Sequence, residues 1–224
     1  MSTRKFCILI QLVAFCSIAS SQIDSSNLVQ YSPEYKFTDG VFIFFEQVQT
    51  NDPLPKTRII TSVNYDNPHF FDIVLQERQI NFYDNVGQPK SILTKDIWGY
   101  AKNGVLYIKI NNTFSRITLV GSICHFVSSI TQYNSYPSMS YGNAYYDYYS
   151  GGSNYPSTEM RQFLLNFSTG EVYDYTENNL LLLFMNDEQL YDEYNSLRKK
   201  KKRQMKFIYL RKYNERNPLM LPKK

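Results

Sequence analysis

The middle of the chain, residues 80–127, consists of short apolar segments separated by turn residues. Two of these segments, residues 97–101 and 105–110, flank Asn103 and Gly104, a dipeptide that is the strongest short-range signal for a β-hairpin. Side chains of residues 105–110 alternate between two faces, as they do in a strand. The other segments are residues 80–83, 91–94, 114–119 and 123–127. The pattern predicts an antiparallel meander.

Further elements are predicted on both sides of this meander. Asp39 is suited to cap a short helix over residues 41–48, which ends before Pro53. Its apolar residues at helical spacing are Val41, Phe44, Phe45 and Val48. A strand is the alternative, because the same segment also fits a buried run. The remaining predictions are a strand over 58–63, a helical turn over 70–75, a returning hairpin over 159–167 and 171–175, and a helix over 179–185.

The C-terminal segment, residues 187–214, predicts one long helix that Asp187 caps and that ends before Pro218. At 1.5 Å per residue such a helix would be about 40 Å long. The residues expected to pack it on the core are Leu190, Tyr194, Leu197, Met205 and Ile208. The predicted fold class is therefore α+β: an antiparallel sheet with short helices and a long basic C-terminal helix.

The N-terminus has the three parts of a secretory signal peptide. Arg4 and Lys5 form a positive region, residues 6–19 are mostly apolar, and small residues precede Gln22. The apolar run is shorter than the roughly 20 residues that a membrane-spanning helix needs. We expect cleavage before Gln22 and export to the periplasm, the cell envelope or the medium. An uncleaved anchor or a buried core helix is the alternative.

Removal of residues 1–21 would leave Cys124 as the only cysteine, because Cys7 and Cys16 lie in the predicted signal peptide. An intramolecular disulfide is then excluded, and stability has to come from packing. Residues 22–36 are polar and predict a flexible lead-in. Residues 37–224 predict a single domain, in which no other segment is long and apolar enough to span a membrane.

Charge is distributed unevenly along the chain. Residues 22–186 carry 10 Lys and Arg against 15 Asp and Glu, whereas residues 187–224 carry 12 against 5. The chain that remains after cleavage is thus a mildly acidic body with a basic C-terminal arm. The most basic part of this arm consists of Arg198, Lys199, Lys200, Lys201, Lys202 and Arg203, called here the basic segment.

Three interpretations of the basic segment are open, and nucleic acid is not expected as a partner after export. It is a solvated stretch whose methylene groups cover the edge of the core, a contact for anionic head groups or polymers of the envelope, or a contact for an acidic protein surface. Six consecutive basic residues point in all directions around a helix. They therefore do not form the one-sided face of a helix that lies on a membrane.

A second candidate contact surface is the tyrosine-rich segment, residues 131–158. Eight of its 28 residues are Tyr, and it contains no Leu, Ile or Val, so we expect a long low-complexity loop that interrupts the domain. Tyrosine provides amphipathic contact area at a low entropy cost, which suits a protein-binding loop. The candidate contact residues are Tyr145, Tyr146, Tyr148 and Tyr149. A variable, disordered insertion is the alternative.

No catalytic, cofactor-binding or metal-binding constellation is visible. Cys124 and His125 are adjacent, but neighbours on a strand point to opposite faces, so we expect one side chain in the core and one outside. His69 is the only other histidine, which leaves a Cys/His metal site without enough ligands. Nucleophile-elbow, Walker and dinucleotide-binding motifs are absent from the sequence.

Two further possibilities depend on how the chain folds. Trp98, Tyr100 and Tyr107 suit a platform for carbohydrate or peptide, but inward-facing strand positions need large side chains, and we expect them in the core. Carboxylates that are distant in sequence and meet in the fold would make a hydrolase. The sequence does not indicate which of the acidic residues would meet.

Several segments resemble those of a group of uncharacterised exported bacterial proteins. The segments are FTDGVF at residues 37–42, KDIWGY at 95–100, EMRQ at 159–162 and RKYNERNP at 211–218. The similarity extends over most of the chain after residue 21. It implies export in a bacterium with a cell envelope and a β-rich fold, and it brings no activity and no functional residue.

The sequence thus leads us to expect a non-catalytic envelope or secreted module without metal or cofactor. Such a module would bind a protein or an anionic surface through the basic segment or the tyrosine-rich segment. The alternative is a hydrolase whose carboxylates converge only in the fold.

Overall fold

The structure is a computed structural model that describes residues 27–133 and 156–223, and within them the predicted α+β class is confirmed. The strands are β1 (Leu28–Gln30), β2 (Gly40–Phe42), β3 (Ile59–Ile60), β4 (Gln79–Tyr83), β5 (Pro89–Leu93), β6 (Gly99–Lys102), β7 (Val105–Ile110), β8 (Thr113–Leu119), β9 (Ile123–Tyr133), β10 (Pro156–Asn166), β11 (Val172–Asp174) and β12 (Met220–Pro222). The helices are α1 (Phe45–Gln49), α2 (Phe70–Val74), α3 (Glu177–Phe184), α4 (Glu188–Asn195) and α5 (Lys199–Arg216).

Seven strands form the main sheet, which is antiparallel and has the order β11-β10-β9-β8-β7-β6-β2. The predicted hairpin between β6 and β7 is confirmed, with φ 55° at Asn103 and φ 74° at Gly104. Positive φ at both central residues gives a turn whose twist matches that of the flanking strands. The predicted returning hairpin is present as β10 and β11. Strands β9 and β10 each have 11 residues and pair along their whole length.

Both faces of the main sheet are buried. In β9, Cys124 and Phe126 belong to a cluster on one face, whereas Ile123 points the other way and packs with α3, α4 and α5. The same alternation is present in β6, where Ala101 belongs to the first cluster. Tyr100, its neighbour, belongs to a third cluster that also includes α2 and the small sheet. The helical layer and the small sheet thus cover different parts of one face.

The small sheet has the order β3-β4-β5 and follows the predicted pattern only in part. The strand expected over residues 58–63 is reduced to Ile59–Ile60, preceded by a 3₁₀ turn at Lys56–Arg58. The helical turn expected over residues 70–75 is confirmed as α2. In β4, Ile80 and Phe82 are buried while their neighbours are exposed, so one face of this small sheet packs on the core.

Residues 41–48 contain both of the predicted alternatives, a strand followed by a helix. Strand β2 ends at Phe42, and α1 begins at Phe45. The side chain of Gln47 stabilises the first turn of α1, because its Oε1 accepts hydrogen bonds from Ile43 N at 2.6 Å and Phe44 N at 3.2 Å. The prediction that Asp39 caps this helix is wrong. Its Oδ1 instead accepts from Gly104 N at 3.0 Å and so supports the β6–β7 hairpin.

The segment expected to be a flexible lead-in, residues 22–36, contains β1, which pairs with β12 near the C-terminus. Tyr31 N donates to Leu219 O at 2.8 Å, and the Tyr35 hydroxyl donates to Pro222 O at 3.1 Å. The expectation of flexibility is therefore wrong for residues 28–36, where structure depends on a partner far along the chain. Residues 22–26 lie outside the described residues.

The long C-terminal helix predicted over residues 187–214 is divided into α4 and α5. Asp187 caps α4 as predicted, since its Oδ1 accepts from Leu190 N at 3.1 Å. Helix α4 ends at Asn195, where the Ser196 hydroxyl bonds the Glu193 carbonyl at 2.8 Å and competes with the helical hydrogen bonds. The chain becomes extended at Arg198 before α5 begins.

This division changes which residues of the C-terminal segment reach the core. Leu190 and Tyr194 are buried as predicted, and Leu197 and Met205 pack partly against the same cluster. The prediction is wrong for Ile208, which is 54% exposed. The core-facing residues of α5 are Tyr209, Leu210 and Tyr213. A second helix need not keep the rotational phase of the first, and a single periodic pattern does not reveal such a change.

We predict that Gly99→Ala lowers the free energy of unfolding by about 3 kcal/mol or more, because a Cβ at Gly99 would overlap the Tyr107 carbonyl on the neighbouring strand β7. Urea denaturation of wild type and variant measures the change. Gly87→Ala is the control, because a Cβ there has no atom within 4 Å and only the positive φ of 78° opposes it. It should cost about 1–2 kcal/mol, and an equal effect of both substitutions would contradict the prediction.

Candidate functional site

The basic segment lies at the exposed N-terminal end of α5. Arg198 is the N-cap residue and makes no side-chain cap hydrogen bond, and the next five basic residues form the first turns of the helix. The first turn of α5 contains no acidic residue. Because the N-terminus of a helix carries a partial positive charge, cations in this position are unfavourable. The arrangement therefore places like charges where a helix normally holds acidic side chains.

Only two side chains of the basic segment have a partner within residues 27–133 and 156–223. Arg203 Nε donates to Glu177 Oε1 at 3.0 Å, and Lys202 Nζ donates to Asn195 Oδ1 at 2.9 Å. The side chains of Arg198, Lys199, Lys200 and Lys201 make no ion pair or hydrogen bond with described residues. These four side chains, called here the free cations, are all exposed. They form an uncompensated positive surface.

Helix α5 is held to the body through its other end. Arg216 Nε and Nη2 donate to the two carboxylate oxygens of Asp187 at 2.6 and 2.9 Å. The Arg216 contact, with the Leu190 N–H and the Asn217 amide, lowers the pKa of Asp187 to about 2. In the middle of the helix, the Lys206 ammonium lies 4.2 Å from the ring centroid of Tyr175. These contacts fix the helix while the free cations remain in solvent.

The structure does not describe the candidate contact residues Tyr145, Tyr146, Tyr148 and Tyr149, which lie outside the described residues. It does describe both ends of the tyrosine-rich segment. Residues 131–133 complete β9 and residues 156–158 begin β10, so the prediction of a loop is wrong for these six residues. Their pairing continues a ladder that begins at Ile123, and local composition does not reveal such an extension.

Cys124 and His125 point to opposite faces of β9, as predicted. Cys124 is fully buried, and burial raises the pKa of its thiol to about 12, so it remains protonated and unreactive. The expectation that one of the pair lies outside the core is wrong, because His125 is only 7% exposed. Its ring packs on Tyr175 and Phe207, and burial lowers its pKa. Helix α5 thus covers the face that the meander alone would expose.

A cavity of about 690 Å³, called here the central cavity, lies between the main sheet and the layer formed by α2 and the small sheet. The walls include Phe71 of α2, Tyr100 of β6 and Phe114 of β8. Tyr100 stacks on Tyr107 with the ring centroids 4.7 Å apart and an interplanar angle of 3°. The expectation that Tyr100 belongs to the core is confirmed, since it is 6% exposed. Its ring nevertheless forms part of the cavity wall.

Of the charged side chains that line the central cavity, the two that are partly buried have opposite signs. Asp72 Oδ2 accepts from Lys102 Nζ at 3.0 Å and lies 3.1 Å from His69 Nδ1. The Lys102 contact, followed by that of His69, lowers the pKa of Asp72. From the floor of the cavity, formed by the main sheet, the Lys109 ammonium of β7 donates to Thr94 O and lies 5.3 Å from the ring centroid of Phe114. Burial lowers the pKa of Lys109.

Sequence reasoning did not identify Asp72 or Lys109 as site residues. The signal that was present is the spacing of Lys109, two positions after Tyr107, which places both side chains on the same inward face of β7. A lysine on a face expected to be core is unusual, since lysine is rarely buried without a partner. For Asp72 there was no such signal, because α2 has only five residues, too few for the spacing of its apolar residues to show which side of the helix faces the core.

No group of three His, Cys, Asp or Glu side chains within residues 27–133 and 156–223 is placed to hold a metal ion. In the same part of the chain, no helix has the length and apolar character needed to cross a membrane. The described cysteine, Cys124, is a free thiol.

We predict that Asp187→Asn lowers the free energy of unfolding by about 1–3 kcal/mol, because Asn keeps the helix cap but loses the charge that binds Arg216. Folding lowers the pKa of Asp187 from 3.8 to about 2, so the contribution of the charge is complete above about pH 4 and is lost as the pH falls towards 2. Thermal unfolding across this range should show the two proteins converging. Asp192→Asn, an exposed change on the same helix, should have little effect at any pH.

Comparison of the chain with protein-family models, with curated proteins and with solved structures finds no match. The resemblance to exported bacterial proteins therefore stays an expectation.

Proposed function

We propose that this protein is an exported, non-catalytic module of the cell envelope or the secreted fraction, and that the basic segment binds an anionic surface. The observation that carries the proposal is the set of four free cations at the N-terminal end of α5. An anion placed there would meet both the side-chain charges and the positive end of the helix. Export itself rests on the signal-peptide pattern of residues 1–21.

The expected strength of this interaction follows from the number of charges. A basic residue near an anionic membrane surface contributes about 1 kcal/mol. Four free cations would together contribute about 4 kcal/mol, which corresponds to weak binding that many copies or a charged polymer would strengthen. Because exposed charges are screened over about 8–10 Å at physiological ionic strength, binding should weaken strongly with added salt.

We predict that the protein sediments with phosphatidylcholine vesicles that contain phosphatidylglycerol, but not with vesicles of phosphatidylcholine alone. The triple variant Lys199→Glu, Lys200→Glu and Lys201→Glu should bind the anionic vesicles at least 100-fold more weakly, about 1 kcal/mol being lost for each cation. Added salt should release the wild type. Co-sedimentation over a range of lipid concentrations measures the change.

The matched control reverses three exposed cations elsewhere: Lys36→Glu, Lys90→Glu and Arg116→Glu. It changes the net charge by the same amount, so it should lose much less vesicle binding if the position of the charges matters. Equal losses of vesicle binding in the two triple variants would show that binding depends on net charge and not on the basic segment. Unchanged binding after charge reversal in the basic segment would show the proposal to be wrong.

The second candidate function is hydrolysis, which one arrangement in the structure favours. Asp72 and Glu77 both line the central cavity, and Asp72 also contacts His69. The lowered pKa keeps Asp72 ionised, which suits a charge stabiliser, although it makes the carboxylate a weaker general base. If this candidate is right, the protein hydrolyses a chromogenic ester or glycoside, and Asp72→Asn or Glu77→Gln reduces the rate at least 100-fold. If the protein is instead a non-catalytic module, we expect no hydrolysis of either substrate.

A further inference from the structure

The central cavity has the dimensions and position of a small-molecule site. Its volume of about 690 Å³ falls within the range of roughly 300–1,000 Å³ that such sites occupy. It lies where two layers of the fold meet, with the floor on β6, β7 and β8 and one side on α2. Six of its thirteen lining residues lie on α2, β5, β6, β7 and β8, and four more form the turn at residues 75–78 between α2 and β4.

Lys109 is the charged group that projects from the floor of the central cavity. Within residues 27–133 and 156–223 its ammonium forms no ion pair, and its hydrogen bond goes to the uncharged carbonyl of Thr94. An ammonium has three donors, and the Thr94 contact uses one of them. The charge of Asp96, an exposed residue outside the cavity lining, favours the charged form of Lys109 but does not outweigh the effect of burial. A partly buried cation without a carboxylate in direct contact is energetically costly. An anion in the cavity would remove that cost.

Asp72, the partly buried carboxylate in the cavity wall, does not act as the partner of Lys109. Asp72 already binds Lys102 at 3.0 Å, and the side chain of Lys102 is 22% exposed, so this pair is compensated within the wall. The remaining charged lining residues are Glu77, Arg78 and Lys95, which are all exposed. The interior of the cavity therefore has an excess of positive charge at Lys109.

The other walls are aromatic. Phe114 and Tyr100 meet edge to face with their centroids 5.3 Å apart, and Phe71 packs on the far side of Tyr100 at 5.3 Å. Tyr107 and Phe71 already cover the two faces of the Tyr100 ring, so the ring that a ligand can reach is that of Phe114, which is only partly buried. An aromatic ring in the wall favours a flat apolar body, since offset and edge-to-face contacts between rings are favourable. Burial raises the pKa of Tyr100 to about 12, so at neutral pH its hydroxyl is protonated and able to donate a hydrogen bond.

We propose that the central cavity binds a small aromatic carboxylate, with the carboxylate at Lys109 and the aromatic body against Phe114. The site lies apart from the basic segment, which is on α5, and it does not depend on binding of an anionic surface. The charge of Lys109 selects the anion, and the aromatic wall selects its body.

The test compares 2-naphthoate with 2-naphthamide, which have the same ring and nearly the same shape but differ in charge. Isothermal titration of the purified native protein should show naphthoate binding at least tenfold more tightly, as expected when a charge-assisted hydrogen bond is gained. Lys109→Met should abolish this preference, whereas Lys109→Arg, which keeps the cation, should retain it. Lys90→Met, an exposed lysine of β5, should behave as the wild type.

Two controls separate the cavity from other causes. The triple variant Lys199→Glu, Lys200→Glu and Lys201→Glu should keep the preference for naphthoate, because the basic segment is not part of the site. If Lys109→Met does not fold, Phe114→Leu, which should weaken binding of both compounds, takes its place. Equal binding of the two compounds by the wild type, no binding of either, or an unchanged preference in Lys109→Met would each overturn the proposal.

Discussion

Burial of the main sheet on both faces is the constraint on which the rest of the structure depends. Antiparallel sheets commonly leave one face to water, but here Cys124 and Ile123, neighbours on β9, lie in two different apolar clusters. Each face therefore needs its own cover. One face receives the N- and C-terminal segments with α1, and the other is shared between the helices α3, α4 and α5 and the layer of α2 with the small sheet.

Much of the main sheet could be predicted from the sequence, because four of its six neighbouring strand pairs are joined by short turns: β6–β7, β7–β8, β8–β9 and β10–β11. Asn103 and Gly104 identify a hairpin without any knowledge of the rest of the chain. Features that depend on distant partners could not be predicted in this way. The pairing of Val29 with Leu221 joins segments at opposite ends of the described chain. The exposure of Ile208 depends on the helix break between α4 and α5, after which Tyr209, its neighbour, packs on Tyr194 with the ring centroids 4.9 Å apart.

The candidate sites differ in how much of them the sequence could reveal. A run of six basic residues can be recognised from the sequence alone. Which of the six have partners cannot, because the partners Glu177 and Asn195 come close to the basic segment only in the folded structure. Lys109 is a single lysine between two apolar residues of β7. Its role as a candidate site residue follows from its surroundings in the cavity, Thr94, Phe114 and Asp72, which the sequence does not show to be close to it. The two cationic sites also have different physical character. Solvent screens the free cations, whereas aromatic walls partly shield Lys109 from water and strengthen its field.

The pairing of β1 with β12 also has a consequence for degradation. Lys223 N donates to Asn27 O at 2.8 Å, so the first and last described residues are joined by a main-chain hydrogen bond. An exopeptidase that has reached β1 or β12 has to peel away a strand that the other of the two holds in place. Removal of either strand would free the other, and the resistance of both strands to such enzymes would be lost together.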